Sequence, residues 1–288
     1  MRTRITALLL ALCTLVLTAC SGGASADLTG AKTLEDLRGA RLAAQGGTFH
    51  EAALAQVPQV QSSVYPEFAD LLTALKSGAI DGYVAEEPTA LSVCAADESL
   101  TYIPLVNNDT GFTATAADVG IAVGVADGSP LRAEIDAVLD GVTDAQRREL
   151  MQQIVAVSAG QTVERFAVAC DAPENPKGVL RVGMECAYEP YNWTDLEGTA
   201  SGCYPISGEG KQGQYANGYD VQIARYIAAQ LGMSLEIYAF DWNSLLPALE
   251  SGAIDAVIAG MSPTAEREAE IDFTQTYYES NLVVIIRR

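Results

Sequence analysis

The sequence predicts an α/β protein built as two similar lobes, and three observations predict it. Strand patterns alternate with helix patterns along residues 33–157 and again along 178–288, which is how chains that form mostly parallel sheets read. The segment Leu71-Leu72-Thr73-Ala74-Leu75-Lys76-Ser77-Gly78-Ala79-Ile80-Asp81 recurs as Leu245-Leu246-Pro247-Ala248-Leu249-Glu250-Ser251-Gly252-Ala253-Ile254-Asp255, differing only at its third and sixth positions. Between the two copies, residues 158–177 carry Ser, Gly, Gln and two prolines with few periodic apolar positions, and read as a linker. The repeat is a helix, a left-handed glycine cap and a strand entering a sheet. Two copies this far apart imply two equivalent lobes rather than a short-period solenoid, the alternative being chance recurrence of a common helix stop.

Taken in order, Thr33 with Asp36 makes a capping-box start that Gly39 ends. Residues 41–45 then read as a strand, 49–56 as a helix, 67–76 as a helix closed by Gly78, and 80–85 as a strand. Strands near 100–104 and 119–124 and helices near 131–140 and 144–157 complete the first segment. After the linker come a strand at 179–183, an amphipathic helix at 219–231 closed by Gly232, and a strand at 234–238. A helix at 243–250, a buried strand at 254–258 and a last strand at 282–286 complete the second segment.

Composition narrows the function. The 288 residues are 49% hydrophobic and 19% charged, enough for large cores, so wholesale disorder is excluded. A net charge of -20 repels phosphate backbones, so no nucleic-acid partner is expected. Residues 1–19 have a basic start at Arg2 and Arg4, then an apolar run from Ile5 to Leu17 too short for a stable membrane anchor, and read as a signal peptide. The ending Leu17-Thr18-Ala19-Cys20 resembles the lipobox of bacterial lipoproteins, which implies cleavage before Cys20 and acylation of that cysteine. An ordinary signal peptide or an anchor helix is the alternative. Residues 20–32 would then be a lipidated tether, roughly 40 Å long when extended.

Four cysteines remain, Cys94, Cys170, Cys186 and Cys203, and an exported location permits disulfides. The stretch from Cys186 to Cys203 contains Asn192, Asp195, Gly198 and Gly202, reads as a long loop, and leads us to expect a Cys186–Cys203 disulfide. No pairing is implied for Cys94 or Cys170. With His50 the one histidine, no metal site of His and Cys is expected and no cofactor is implied. A carboxylate metal site stays open.

In the second half, Gly178-Val179-Leu180-Arg181-Val182-Gly183, Ala187-Tyr188-Glu189-Pro190-Tyr191, Gly218-Tyr219-Asp220-Val221, Trp242 and Met261-Ser262-Pro263-Thr264-Ala265-Glu266-Arg267 stand in sequence. Together they resemble the first lobe of the extracellular solute-binding proteins of polar amino-acid ABC transporters, solute-binding family 3, with the periplasmic binding protein type 2 fold of two Rossmann-like lobes. Thr33 to Gly39, Ala44-Gln45-Gly46-Gly47-Thr48 and the repeat through Glu86 resemble that family's second lobe. The departure is order, since the second-lobe segment comes first, so the chain resembles a circularly permuted member. Under this reading residues 33–130 are second-lobe-like, 131–157 are helices returning to the first lobe, 158–177 are the linker, and 178–288 are first-lobe-like. The crossing into the second lobe would begin at Arg288. The alternatives are a rearranged or truncated gene, or a swapped dimer.

A free amino acid presents a carboxylate and an ammonium, so its site needs a cation with aligned donors and an opposing anion. Arg267 can supply the bidentate fork, with Ser262 and Thr264 adding donors near a helix start. The resemblance implies Arg267, Ser262 and the Gly260 backbone as carboxylate binders, and Glu86, rather than its neighbour Glu87, as the acid that receives the ammonium. Gly46, Gly47 and Thr48 lie between a strand and a helix, where open N–H groups can meet the carboxylate. By resemblance Tyr188 and Trp242 are aromatic walls, and Glu185 is an acid that senses the ligand's side chain and favours a cationic or amide group.

The function implied is that of an extracytoplasmic binding protein, held to the cell membrane by its lipid, that captures a polar amino acid for an ABC transporter permease and performs no covalent chemistry. A ligand-sensing lipoprotein is the alternative. An enzyme class, the dehydratases of this fold with Glu86 or Glu185 as general acid, lacks a supporting nucleophile–base pair.

Overall fold

The computed structural model describes residues 26–105, 110–169 and 171–288. The signal, Cys20 and most of the expected tether lie outside the described residues, as does Cys170.

The first segment runs β1 (Arg41–Gln45), α1 (Phe49–Leu54), β2 (Gln61–Tyr65), α2 (Phe68–Ser77), β3 (Gly82–Glu86), α3 (Glu87–Ala96) and β4 (Leu100–Pro104). It continues through α4 (Ala116–Val119), β5 (Gly120–Ala126), α5 (Leu131–Leu139) and α6 (Asp144–Ser158). The second segment runs β6 (Val179–Met184), β7 (Ala187–Tyr188), β8 (Asn192–Asp195), β9 (Tyr204–Ser207), β10 (Tyr215–Asn217), α7 (Tyr219–Gln230) and β11 (Ser234–Ala239). Then come α8 (Leu245–Glu250), β12 (Ala256–Val257), β13 (Ile271–Glu279) and β14 (Leu282–Arg287).

Two sheets result. The five-stranded sheet has the order β2-β1-β3-β14-β4, and the nine-stranded sheet β13-β5-β12-β6-β11-β9-β10-β8-β7. The cores of both are parallel, as the alternation of elements predicts, and each takes one antiparallel strand from the far segment. β5 lies between β12 and β13, while β14 lies between β3 and β4 with Leu282 opposite Glu86. The lobes are therefore joined twice, between β4 and β5 and at Ser280–Asn281 between β13 and β14. This corrects the expectation that the second crossing begins at Arg288: β14 is already inside the five-stranded sheet. An all-apolar run such as Leu-Val-Val-Ile-Ile says that a strand is buried on both faces, not in which sheet.

The repeat folds as read and is locally symmetric. Gly78 and Gly252 end their helices at φ 79° and 73°. In each lobe the aspartate that closes the repeat accepts from the first-strand arginine: Arg41 Nε is 3.2 Å from Asp81 and Arg181 Nε 3.0 Å from Asp255. Nη1 of each arginine caps the carbonyls of the glycine turn, Gly78 and Ala79 in one lobe, Gly252 and Ala253 in the other. The pair thus ties helix end, turn and two strands together, which explains why the aspartate recurs.

Elements not read from sequence are β2, α3, α4, β7 to β10 and β13. α3 has no amphipathic period because Pro88, Thr89, Ala90 and Ser92 are all buried. β13 carries two register shifts against β5, which blur its alternation. The described residues of 158–177 contain no helix or strand beyond the last residue of α6, although Val168 is buried in the core of the nine-stranded lobe.

Candidate functional site

The ends of β1, β3 and β6 and the loop after β12 converge between the lobes. Arg267 opens the one-turn helix Arg267–Ala269 and is 8% exposed. Its guanidinium lies over the Trp242 ring at 5.1 Å, a cation–π contact. Nη1 donates to the Ser262 carbonyl at 2.8 Å, and Nη2 donates across the cleft to the Gly47 carbonyl at 2.5 Å. Burial pushes the Arg267 pKa down to about 10, so the cation remains charged at neutral pH but is poorly solvated. The Ser262 hydroxyl donates to the Asp118 carbonyl and the Thr48 hydroxyl to the Gln45 carbonyl. Both hydroxyls are thus committed to backbone here, as is the guanidinium, one of whose acceptors lies across the cleft.

Glu86 ends β3 and is buried. Its Oε1 is 2.9 Å from His50 Nε2, while Oε2 has no partner among the described residues. Glu87 is less buried and packs at the crossing, where its N–H donates to the Asn281 carbonyl. Of the two acids, Glu86 therefore faces the site. His50 reads in the sequence only as a metal ligand without companions; its place two residues after Thr48, on the buried face of α1, puts it beside the acid instead.

Tyr188 stacks on Phe68 of the other lobe, with ring centroids 4.0 Å apart and planes 14° from parallel. Gly260 sits beneath Tyr188 at φ 63°, and a Cβ there would meet the Tyr188 ring at 3.1 Å, so the closeness of loop and ring depends on glycine. Glu185 is buried and accepts from Gln45 Nε2 at 2.9 Å. Burial first, then a hydrogen bond with the Glu67 carboxyl, push the Glu185 pKa up to about 9. Two facing carboxyls can make that bond only when one is protonated.

The space enclosed by Gln45, His50, Glu86, Tyr188, Trp242 and Arg267 is about 10 Å³, room for about one water. Outside it a groove of about 740 Å³, edged by Glu51, Asp118, Glu266 and Glu270, leads to Arg267. The lobes thus meet directly, and a molecule larger than water enters this space only as they part. Gln45, His50, Glu67 and Phe68 are the site residues that sequence reasoning missed.

The expected Cys186–Cys203 disulfide is not formed: both thiols are free. The loop is not open but contains β7 and β8, which pair with each other. Cys186 is buried in the core at a positive φ of 56°, and the Cys203 thiol donates to Asp195 at 3.1 Å.

Two α/β lobes that close on an arginine, an acid and aromatic walls define a two-lobed ligand-binding protein. Residues 198–288 match the family model of bacterial extracellular solute-binding proteins, family 3, which bears out the family resemblance of the second segment. The arginine-binding extracellular protein ArtP of Bacillus subtilis is 36% identical over 115 residues, 40% of this chain and 38% of ArtP. The L-cystine-binding protein TcyA of the same organism is 30% identical over 112 residues, 39% of this chain and 36% of TcyA. A probable histidine-binding protein of Campylobacter jejuni is 32% identical over 124 residues, 40% of this chain and 42% of that protein. The chain thus spans about two fifths of the length of these curated relatives. Among solved structures, an ancestral arginine-binding protein bound to arginine is 35% identical, covering 34% of this chain and 36% of that one at a TM-score of 0.26.

Proposed function

We propose that this protein is a lipid-anchored extracytoplasmic binding protein that captures one free polar amino acid and presents it to an ABC transporter permease. The observation that carries the reading is the pair Arg267 and Glu86, buried in one cleft on opposite lobes. As the lobes part, the ligand carboxylate takes the Gly47 carbonyl's place on Arg267 and the ammonium engages the unpartnered oxygen of Glu86. Reclosure then sequesters the ligand between Trp242 and the Tyr188–Phe68 stack. Glu185, Gln45 and Glu67 receive the far end of the side chain. The arginine, cystine and histidine in the relatives' names support a polar ligand. We further propose that the lobes stand in permuted order, supported by the second-lobe-like segment preceding the first-lobe-like one.

Isothermal titration of the protein lacking residues 1–19 against the proteinogenic L-amino acids tests this. At least one polar amino acid should bind with a Kd of micromolar or below, about -8 kcal/mol. No binding by any of them would end the proposal.

A further inference from the structure

One short turn of the five-stranded lobe touches both charged poles of the cleft. Residues Gly47 to His50 lead into α1 just after β1; the Gly47 carbonyl accepts from Arg267, and His50 Nε2 lies 2.9 Å from Glu86 Oε1. The turn is held from within. The Thr48 hydroxyl donates to the Gln45 carbonyl at 2.8 Å, and the Gly47 N–H donates to the Glu51 carboxylate at 3.1 Å. Phe68 meets the His50 ring edge-on with centroids 5.7 Å apart, and itself stacks on Tyr188 of the other lobe. Packing on the helix and against Phe68 thus fixes the imidazole.

Glu86 depends on that fixed group. Its backbone is paired with Leu282 of β14, but a glutamate side chain keeps three rotatable bonds, and freezing them carries an entropy cost. Both side chains are 5% exposed, and among the described residues Glu86 Oε2 and His50 Nδ1 have no partner. A carboxylate offers only acceptors, so its bond to the imidazole needs a proton on Nε2. A proton on Nδ1 would be a buried donor without an acceptor, which native structures avoid more strictly than an unmet acceptor.

From this geometry we propose that His50 is a positioning residue for the ligand ammonium: its Nε2–H holds one oxygen of Glu86 so that the other, Oε2, is presented to the cleft. The bond leaves the negative charge of the carboxylate in place, so the ammonium still meets an anion. Fixing the carboxylate beforehand also removes an ordering cost from binding. The opposite role, competition with the ammonium for Glu86, would need a charged imidazolium, whose Nδ1–H finds no acceptor among the described residues.

The role rests on the amino-acid-binding reading, and the test separates the two. His50 is the one histidine in the chain, so its ring signals need no assignment in untagged protein carrying isotopically labelled histidine. Two measurements are made at one pH. The best-binding amino acid is titrated into wild type, His50→Leu and His50→Gln, and long-range proton–nitrogen NMR is recorded on wild type with and without that amino acid. His50→Leu should bind at least about tenfold more weakly, the size of a hydrogen bond to a charged group. His50→Gln, whose amide nitrogen reaches about as far as Nε2, should recover most of that loss. The spectra should place the proton on Nε2 and show its signal shifting when the amino acid binds. Affinity in folded His50→Leu equal to wild type, or tighter as competition requires, overturns the role, and so does His50→Gln binding no better than His50→Leu. If the variants do not fold, the wild-type spectra decide: a proton on Nδ1 or a signal indifferent to the amino acid overturns the role, and an Nε2 proton that responds supports it. A wild type that binds no amino acid ends the proposed function, and the position of the imidazole proton then decides the bond to Glu86 alone.

Discussion

Arg267 of the nine-stranded lobe donates to the Gly47 carbonyl of the five-stranded lobe at 2.5 Å, so the group assigned to the ligand carboxylate holds the cleft shut through a neutral acceptor. A carboxylate is the stronger partner because the bond becomes charge-assisted at both ends and the fork can engage two oxygens. In the proposed function, ligand binding would therefore trade a weaker closure for a stronger one.

Removing Arg267 should abolish that exchange. Arg267→Ala leaves the ligand carboxylate buried and unpaired, a loss of about 3–5 kcal/mol in binding. The variant's melting temperature without ligand should hold or rise, since the desolvated cation it removes is held by two carbonyls and the face of Trp242 rather than by a carboxylate. Calorimetry giving near wild-type affinity would show that the carboxylate binds elsewhere.

Much of this site was legible because residue type and position agree. Arg267, Glu86 and Tyr188 each come after a strand or at a strand-end loop, where side chains project between lobes. Phe68 was not legible, because its spacing to Leu71 and Leu75 along α2 is that of a core face, and it does lie in that core cluster as well as against Tyr188. Gln45, His50 and Glu67 depend on which face of β1, α1 and α2 meets the other lobe. That is decided by the exchange of β5 and β14, a long-range pairing that local pattern does not encode. The same exchange hid the lobe of β14, while the repeat was plain because its helix, glycine cap and aspartate are contiguous.

Glu185 makes stability depend on pH. Its carboxyl is raised above its unfolded value to about 9, by burial first and by Glu67 second. A raised group contributes stability that is complete below its unfolded value and lost as pH climbs through its folded one. The ligand-free melting temperature should thus decline between about pH 5 and 9, and Glu185→Gln, which stays neutral and can still accept from Gln45, should flatten the decline. Parallel curves for the two proteins would contradict the shared-proton arrangement.

Cys186 and Cys203 should be unreactive while the protein is folded. Burial raises the Cys186 thiol to about 12, and burial with the hydrogen bond to Asp195 raises Cys203 to about 12, so the attacking thiolate is scarce at either position. Iodoacetamide at pH 8 should modify both cysteines in denaturant and neither appreciably without it. Peptide mapping that recovers them joined by a disulfide would restore the crosslink expected from the sequence.

The proposed permutation is tested by undoing it. Residues 26–29 line the same depression of about 370 Å³ as Ile286, Arg287 and Arg288, so the end of β14 lies beside the segment that leads into β1. A few glycines and serines between Arg288 and Asp27, at roughly 3.5 Å each, suffice to join them. The new ends belong before Pro176, in the exposed part of the linker, where opening the chain severs neither crossing between the lobes. Because both crossings survive, the rejoined chain should open and close as the parent does. It should fold as a cooperative monomer and bind the parent's amino acid within about threefold, a difference under about 0.7 kcal/mol. If the rejoined chain fails to fold, or pairs its lobes only between two copies while the parent is monomeric, the permuted reading is wrong.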